Sequence, residues 1–322
     1  MNAWVQCRAS PSLALLKYWG KSDERDNLPA TPSLAVTLGG LQTDTWVHAA
    51  PSDSVSLGGE VLDIGRYARF FDGLRSSLRT SLHFETRSIN SFPTAAGLAS
   101  SSSGFAALAG ACARVAGREP TLSKLSALAR LGSASAARSI FGGFVLLPAG
   151  ARFAEQVFDA RHWPSLRIVI AIVRTGIKPM SSREAMFQTT ATSPYYREWV
   201  SRSRALLPDA LSALGARDLE KLGDIMLASY SMMHAAMLAA RPPVMYWFPA
   251  TMAVIHACRD LRGRGTGAWE TVDAGPQVKV LCEAEKVDEV IRIVKECAPG
   301  VETLTCFPGE GVSLTTAERP EA

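Results

Sequence analysis

Residues 92–104 form the segment best suited to chemistry, reading Phe-Pro-Thr-Ala-Ala-Gly-Leu-Ala-Ser-Ser-Ser-Ser-Gly ahead of an apolar run. Gly97 and Gly104 allow a ligand to approach the backbone closely, and the serine hydroxyls can bind phosphate or a metal ion. A helix that begins here offers unpaired N–H groups and partial positive charge to an anion. The pattern predicts an anion-binding loop, with an ordinary serine-rich helix cap as the alternative.

Residues 13–21 place two lysines around an aromatic pair and a glycine, reading Leu-Ala-Leu-Leu-Lys-Tyr-Trp-Gly-Lys. Lysine is a compact point charge suited to phosphate, and Lys17 and Lys21 come directly after an apolar strand. The segment predicts an anion clamp at a strand end. The alternative is a surface turn whose lysines are simply solvated.

Residues 132–143 place one arginine among small residues, reading Gly-Ser-Ala-Ser-Ala-Ala-Arg-Ser-Ile-Phe-Gly-Gly. Ser133 and Ser135 suit a helix start, and Ser135 shares a helix face with Arg138 because the two are one turn apart. A guanidinium among alanines can bind a carboxylate or phosphate with two hydrogen bonds. We expect Arg138 to bind an anion; the alternative is a capped helix whose arginine pairs with a nearby acidic residue.

Asp273 ends a predicted strand and precedes a Gly-Pro turn. A carboxylate projected from such a rigid frame suits a general base or an orienting group. The alternative is an Asx-type turn residue, which is common before this dipeptide.

The remaining polar residues give weaker signals. Residues 179–184, reading Pro-Met-Ser-Ser-Arg-Glu, predict a capped helix start with Arg183 either available to an anion or merely exposed. The histidines show no metal-ligand spacing and are interpreted as structural, with His234 the one worth watching; they are His48, His83, His162, His234 and His256.

The bulk composition narrows the class of protein. With 322 residues, of which 47% are hydrophobic and 20% charged, the chain suits a globular enzyme of roughly two domains. A net charge of +4 without a long basic run fits small anionic ligands and gives no reason to expect nucleic acid. The six scattered cysteines lack Cys-x-x-Cys spacing and indicate buried thiols in a reducing compartment. Without a signal-peptide pattern or an apolar run long enough for a bilayer, we expect a cytoplasmic protein that binds no membrane.

Periodicity gives an α+β order of elements. Strands are predicted at residues 43–49, 81–87, 166–173, 269–273 and 278–282. Helices are predicted at residues 65–78, 105–115, from Thr121 onward, over most of 199–240, and at 252–261 and 287–296. The absence of regular βαβ alternation argues against a dinucleotide-binding fold. A P-loop is excluded because Leu15 stands where that motif requires glycine.

The four main segments together resemble the mevalonate diphosphate decarboxylases of the GHMP small-molecule kinase superfamily over nearly the whole chain. Residues 17–21 and 27–29 are similar to the family's opening motif, and residues 93–101 to its phosphate loop. Residues 132–143 resemble its Ser-x-Ser-x-x-Arg helix, and residues 272–276 its catalytic aspartate motif.

This resemblance implies a two-domain α+β, GHMP-kinase-like fold with the active site in a cleft between the domains. The N-terminal, ATP-binding domain is expected over residues 1–180 and the C-terminal domain over 181–322. ATP and Mg²⁺ are the implied cofactors, a phosphorylated 3-hydroxy-3-methyl acid the implied substrate, and a homodimer the implied assembly. The implied reaction converts 5-diphosphomevalonate, with ATP, to isopentenyl diphosphate, ADP, phosphate and CO₂.

The resemblance also implies residue roles. Asp273 contacts the tertiary 3-hydroxyl with Lys17 beside it, and Arg138 holds the substrate carboxylate. The implied substrate-binding residues are Tyr18, Trp19, Gly20, Lys21, Arg66, Ser133, Ala134, Ser135, Ala136, Ala137, Arg138, Ser182 and Arg183. The implied ATP-binding residues are Ala95, Ala96, Gly97, Leu98, Ala99, Ser100 and Ser101, with Ser101 also the implied Mg²⁺ ligand.

The chain departs from the family pattern at three places. Ser12 stands where the family usually has asparagine, Thr31-Pro32-Ser33 replaces Asn-Ser-Ser, and Gln277 replaces asparagine after the Gly-Pro turn. The first two lie close to the substrate segment, so a decarboxylase of the 5-monophosphate is the alternative. A GHMP kinase without decarboxylation, or a non-catalytic sensor of nucleotide or isoprenoid precursor, are further alternatives.

Overall fold

The computed structural model describes residues 4–93, 100–176 and 180–317. Its strands are β1 (Trp4–Ala9), β2 (Ser12–Leu16), β3 (Lys21–Asp23), β4 (Leu28–Pro29), β5 (Ser33–Gly39), β6 (Thr43–Ala50), β7 (Ser54–Leu57), β8 (Glu60–Val61), β9 (His83–Asn90), β10 (Phe144–Leu147), β11 (Glu155–Phe158), β12 (Leu166–Ile172), β13 (Trp269–Val272), β14 (Val278–Glu283), β15 (Glu302–Pro308) and β16 (Ser313–Ala317). Its α-helices are α1 (Ala68–Leu78), α2 (Ser100–Val115), α3 (Leu122–Gly132), α4 (Ser182–Thr192), α5 (Tyr196–Ala205), α6 (Leu207–Ala216), α7 (Leu219–Leu238), α8 (Pro249–Gly263) and α9 (Val287–Cys297).

The first sheet has the strand order β16-β1-β6-β9-β7-β8. Helix α2 packs across β1 and β6 and buries its small residues against them. Close approach requires glycine at position 110, because a Cβ there would lie 2.6 Å from Cys7 Sγ. Helix α2 is thereby fixed against the sheet, and its first turn is held in one place.

The second sheet joins the N-terminal and C-terminal parts of the chain. Its order is β11-β10-β5-β15-β12-β14-β13, and β2 pairs with β5 off this path. Strand β15 bridges the parts because it pairs with β5 on one side and β12 on the other. The prediction that residues 166–173 form a central strand is confirmed, since β12 lies between β14 and β15 and is buried nearly throughout.

Most elements predicted from periodicity are confirmed, and one helix start was wrong. Strands β6, β9, β13 and β14 and helices α3, α8 and α9 agree with the predicted segments to within a few residues. The helix predicted from Phe105 begins instead at Ser100. In the added turn Ser103 Oγ donates to Ser100 O at 3.4 Å and lies within hydrogen-bonding distance, 2.7 Å, of Thr43 Oγ1 on β6. Serines with low helix propensity are therefore stabilised by tertiary contact.

The helix predicted at residues 132–143 is a 3₁₀ helix, Ala134–Ile140. Residues i and i+3 eclipse each other in this geometry, so Ser135 and Arg138 still share a face. Ser133 precedes this helix, but its side chain accepts no capping hydrogen bond from the described backbone of the first turn; its hydroxyl lies 2.9 Å from that of Ser135.

The helical region predicted at 199–240 consists of α5, α6 and α7, and the Pro242-Pro243 pair follows α7. Of the six free cysteines, all but the half-buried Cys297 are buried. Across the described ranges, every helix is too short or too polar to cross a bilayer.

Candidate active site

A cavity of about 560 Å³ lies between the N-terminal and C-terminal parts. This volume suits a small ligand, since such pockets typically measure roughly 300–1,000 Å³. The lining residues are Ser12, Ala14, Lys17, Tyr18, Trp19, Arg66, Ser100, Ser101, Ser133, Ser135, Arg138, Ser181, Ser182, Met186, Met233, Asp273 and Ala274. The cavity therefore gathers all four sequence segments into one place.

Asp273 stands at the end of β13 and is held between two ammonium groups. Its Oδ1 accepts a hydrogen bond from Lys17 Nζ at 2.6 Å, and Lys279 Nζ lies 3.0 Å from its Oδ2. Burial would raise the pKa of Asp273, but the two lysines outweigh burial and hold that pKa well below its usual range. The carboxylate is thus charged throughout the working pH range, and about a quarter of its side chain remains open to the cavity.

Lys17 is fixed at the end of β2, a strand buried along its whole length. Its Nζ donates to Ala14 O at 2.8 Å, and its backbone N–H donates to Ser229 Oγ on α7 at 2.9 Å. Burial lowers the pKa of Lys17 to about 8, although Asp273 acts in the opposite direction. The alternative interpretation of this segment, a surface turn with solvated lysines, does not hold for Lys17, which is 1% exposed.

Arg138 is a buried cation that forms no ion pair with an acidic residue among the described residues. It is 3% exposed and its Nη1 donates to Ser33 Oγ at 2.6 Å, while its Nε finds no hydrogen-bond partner in the described part of the chain. Within residues 4–93, 100–176 and 180–317, no carboxylate forms an ion pair with it. Burial lowers the pKa of Arg138 to about 10. The alternative of an arginine paired with a nearby acid is therefore not what the structure shows, and the guanidinium is available to an anion.

Two further polar groups of the cavity wall find no partner among the residues that the structure describes. They are Ser12 Oγ and Tyr18 Oη, both buried and both in the cavity lining, and neither forms a hydrogen bond within those ranges. Buried polar groups are nearly always satisfied, so these atoms indicate a polar ligand. Burial raises the pKa of Tyr18, which keeps its hydroxyl a donor.

The first turn of α2 reaches both this cavity and a second groove. Ser100 and Ser101 line the main cavity and also a groove of about 180 Å³, whose other walls are Thr43, Val55, Ser56, Leu57, Leu62, Tyr67, Ser88, Asn90, Gly104, Phe105 and Leu108. The predicted ATP-binding residues 95–99 lie outside the described residues. The described part of the segment therefore presents a helix N-terminus between a polar cavity and an apolar groove.

Several predicted site residues do not line the cavity in the described part of the chain. Gly20 makes a turn with φ +92°, and a Cβ there would meet Tyr196 Oη at 2.0 Å. Lys21 Nζ pairs with Glu24 Oε2 at 2.8 Å. Arg183 and the buried Ala134, Ala136 and Ala137 are likewise absent from the cavity lining among the described residues, whereas Arg66 and Ser182 are in it.

Sequence reasoning missed Lys279, which is 2% exposed on β14. The feature that could have revealed it is a lysine between two valines in a predicted strand, because a buried cation needs a partner.

The departure from the family pattern at Gln277 has a structural role, because its Oε1 accepts hydrogen bonds from Val173 N at 2.6 Å and Arg174 N at 3.3 Å. Thr31 Oγ1 accepts from Trp19 N at 3.3 Å, so this departure also supports the lysine segment.

Fold and site together define a class of protein. A charged aspartate, an unpaired arginine and a helix N-terminus around one cavity suit phosphoryl transfer to a hydroxyl group of an anionic substrate. The two-domain α+β architecture around this cavity is the GHMP-kinase-like fold.

Comparison with known proteins identifies the family within this class. Residues 9–158 match the diphosphomevalonate decarboxylase-like N-terminal domain, and residues 168–319 match the mevalonate 5-diphosphate decarboxylase C-terminal domain. Diphosphomevalonate decarboxylase from Bos taurus is 35% identical over 97% of this chain and 86% of its own length. The chain therefore belongs to the diphosphomevalonate decarboxylase family.

Solved structures agree with this assignment. A protein in complex with MVAPP, AMPPCP and magnesium is similar with a TM-score of 0.91 and 34% identity, covering 98% of this chain and 100% of its own. Mevalonate diphosphate decarboxylase from Staphylococcus aureus has a TM-score of 0.92 and 30% identity, with 98% of each chain covered.

Proposed function

We propose that this protein catalyses the ATP-dependent decarboxylation of 5-diphosphomevalonate to isopentenyl diphosphate, with release of ADP, phosphate and CO₂. The observation that carries the proposal is Asp273, held charged between two lysines, in the same cavity as the unpaired Arg138 and the first turn of α2. Family membership supplies the reaction, and the cavity supplies the groups that such a reaction needs.

Asp273 is proposed to orient the tertiary 3-hydroxyl group of the substrate. A tertiary alcohol is a far weaker acid than a carboxylic acid, so a carboxylate with a lowered pKa cannot remove its proton early. Asp273 therefore accepts the proton late, while the hydroxyl oxygen forms its bond to the transferred phosphorus. Lys17 keeps the carboxylate ionised and balances part of the negative charge.

Arg138 is proposed to bind the substrate carboxylate, with the hydroxyls of Ser133 and Ser135 beside it. A planar guanidinium and a planar carboxylate that lie edge to edge can form two parallel hydrogen bonds. At the phosphate end of the substrate we propose Tyr18, Lys21, Arg66, Ser182 and Arg183. Lys21 Nζ lies 2.8 Å from Glu24 Oε2, so binding phosphate requires the lysine to exchange or share that partner.

ATP is proposed to lie along residues 95–101, with its base in the apolar groove and its phosphates at the first turn of α2. The groove and the main cavity share Ser100 and Ser101, so a nucleotide with its base in the groove can extend its phosphates past the first turn of α2 toward the main cavity. Ser101 fits a Mg²⁺ ion that arrives with the nucleotide, because Mg²⁺ keeps several waters and takes only one or two protein oxygens besides phosphate. When bound, the ion neutralises charge on the transferred phosphoryl group.

Phosphorylation makes the 3-oxygen a good leaving group. The C3–O bond then breaks with its electron pair leaving on phosphate, and the bond between C2 and the carboxyl carbon breaks to supply the pair that forms the new double bond. CO₂ departs as the carboxylate is consumed. Arg138 contributes by holding that carboxylate in position until phosphorylation is complete.

Incubation of the purified protein with ATP, Mg²⁺ and either 5-diphosphomevalonate or 5-phosphomevalonate tests the proposal. We expect ADP, phosphate and CO₂ in equal amounts with the diphosphate. ADP without CO₂ identifies a simple kinase, and a preference for the monophosphate identifies the alternative decarboxylase. Binding of both ligands without turnover identifies a sensor.

The proposal also covers the location, the assembly and the domain division of the protein. A cytoplasmic location is supported by six free cysteines, which suit a reducing compartment. A homodimer and a division into domains at about residue 180 follow from the family resemblance. Light scattering after size exclusion tests the dimer, and limited proteolysis tests the division.

A further inference from the structure

Lys279 is a buried cation that lies outside the cavity lining yet contacts the reacting carboxylate. On β14 it stands opposite Thr271 of β13, two residues before Asp273. It is 2% exposed, its Nζ lies 3.0 Å from Asp273 Oδ2, and the same Nζ lies 3.4 Å from Gln277 O. Lys279 can therefore act on a ligand in the cavity only indirectly, through the Asp273 carboxylate that it contacts and the cavity-lining Lys17 whose charge it influences.

The two lysines bind different oxygens of one carboxylate. Lys17, which follows β2, places its Nζ 2.6 Å from Asp273 Oδ1. Lys279, on β14, places its Nζ 3.0 Å from Asp273 Oδ2. Rotation about the terminal bond of an aspartate is otherwise broad and roughly two-fold. Two fixed cations on the two oxygens remove that freedom, so the plane of the carboxylate is set by strands from both parts of the chain.

We propose that Lys279 is a positioning residue, which fixes the Asp273 carboxylate plane for the incoming hydroxyl group and adds a positive charge next to Lys17. This inference rests on the proposed function and assigns Lys279 a part in it. Reaction geometry is sensitive to such orientation, because misplacement by about 1 Å can cost roughly 100-fold in rate.

The charge of Lys279 also influences Lys17. The ionisable groups around Lys17 are Asp273 after β13, Lys279 on β14, Arg138 on the 3₁₀ helix and His234 on α7. Burial lowers the pKa of His234 to about 4, so this imidazole is neutral at working pH. Of these groups, Asp273 raises the pKa of Lys17, while Lys279 and Arg138 lower it. Removing Lys279 is therefore expected to raise the pKa of Lys17.

The variants Lys279→Met and Lys279→Arg test the proposal. For Lys279→Met we expect kcat to fall by roughly 10- to 100-fold, with KM for 5-diphosphomevalonate changed less than threefold or so. The decrease of kcat/KM at high pH, which follows deprotonation of Lys17, should move to higher pH. Lys279→Arg retains the charge, so the decrease of kcat/KM at high pH should occur at the same pH as in the wild type. Its kcat should lie between those of Lys279→Met and the wild type.

Arg262→Met is the matched control, because it also breaks a buried ion pair of β13 but does not contact Asp273. Arg262 pairs with Glu270, which is fully buried. This variant should lose stability while the pH profile keeps its shape. If Lys279→Met gives the same result, with wild-type kcat per folded molecule and an unmoved profile, the positioning role is overturned. If Lys279→Met does not fold, Lys279→Arg decides: a shifted profile or a fully wild-type kcat overturns the proposal.

NMR titration of the lysine side chains in the ligand-free enzyme separates this inference from the proposed function. With Lys17 assigned by a Lys17→Arg variant, its titration should move to higher pH in Lys279→Met. This readout does not require turnover. An unmoved Lys17 titration overturns the coupling between the lysines even if CO₂ is released, and absent CO₂ release in the wild type refutes the function alone.

Discussion

Replacing Arg138 by methionine should separate binding from stability. Methionine keeps an unbranched chain of similar length but removes the charge. Among the described residues the guanidinium has one side-chain hydrogen-bond partner, Ser33 Oγ at 2.6 Å, and forms no ion pair with a carboxylate, although Asp273 attracts it from a distance. The variant should therefore lose the proposed contact with the substrate carboxylate while relieving the protein of a buried charge that lacks an ion-pair partner among these residues.

The structure sets the expected magnitudes. Burial lowers the pKa of Arg138 from 12.5 to about 10, and because each unit corresponds to about 1.4 kcal/mol, the charged form is destabilised by roughly 3–4 kcal/mol. Loss of the Ser33 hydrogen bond costs about 1 kcal/mol, so the variant should be up to about 2–3 kcal/mol more stable. Removing one partner of a buried charge pair costs about 2–5 kcal/mol, so kcat/KM should fall by about 30- to 4,000-fold.

Thermal unfolding without ligand and steady-state kinetics with 5-diphosphomevalonate measure the two effects. We expect a Tm equal to or a few degrees above that of the wild type, together with the kinetic loss. Arg262→Met provides the contrast, since it removes the ion-pair partner of the fully buried Glu270 and leaves it with the hydrogen bond from Tyr230 Oη. This variant should cost about 3–5 kcal/mol of stability. If Arg138→Met lowers the Tm as far as Arg262→Met does, Arg138 is a structural cation and the reasoning is wrong.

Three further predictions follow from the site. Asp273→Asn should abolish turnover and leave ATP affinity, measured by calorimetry, within about threefold, because the amide cannot accept a proton; turnover close to wild type would exclude the proposed role. In the wild type, kcat/KM should fall as pH rises through about 8, since the ammonium of Lys17 is lost there, and a rate constant that stays flat to pH 10 would contradict this. Gly20→Ala should lower both Tm and kcat/KM, because its φ is +92° and Tyr196 Oη occupies the Cβ position; Gly58→Ala, with nothing within 4 Å, is the control for backbone strain alone.

The site segments could be found in the sequence because each is local. A glycine turn after a buried strand, a serine pair before an arginine and an aspartate before a Gly-Pro turn are all visible within a few residues. The sequence does not show which of these side chains face the cavity. Lys17 is 1% exposed and lines the cavity, while Lys21 in the same segment pairs with Glu24. The two lysines differ through their long-range partners, which periodicity does not reveal.

The helix start at Ser100 shows the same limit for the fold. Local propensity favours a start after the serines and Gly104, because serine and glycine disfavour a helix interior. Contact between Ser103 and Thr43, sixty residues earlier in the chain, stabilises the earlier start. Only the packing of α2 on the first sheet could supply that contact.

The α+β class, the central strand β12 and the four motifs that identify the family can be read from the order of residues, because buried periodicity and short motifs depend on neighbouring residues. The charge state of the site depends on the fold. Lys17, Lys279 and Arg138 come from distant parts of the chain. Because of how the strands of the second sheet assemble, Asp273 contacts two cations, while Arg138 forms no ion pair with an acid in the described ranges. Burial and ion pairing act over a few ångströms in space, so their effects on pKa follow from the fold and not from the order of residues.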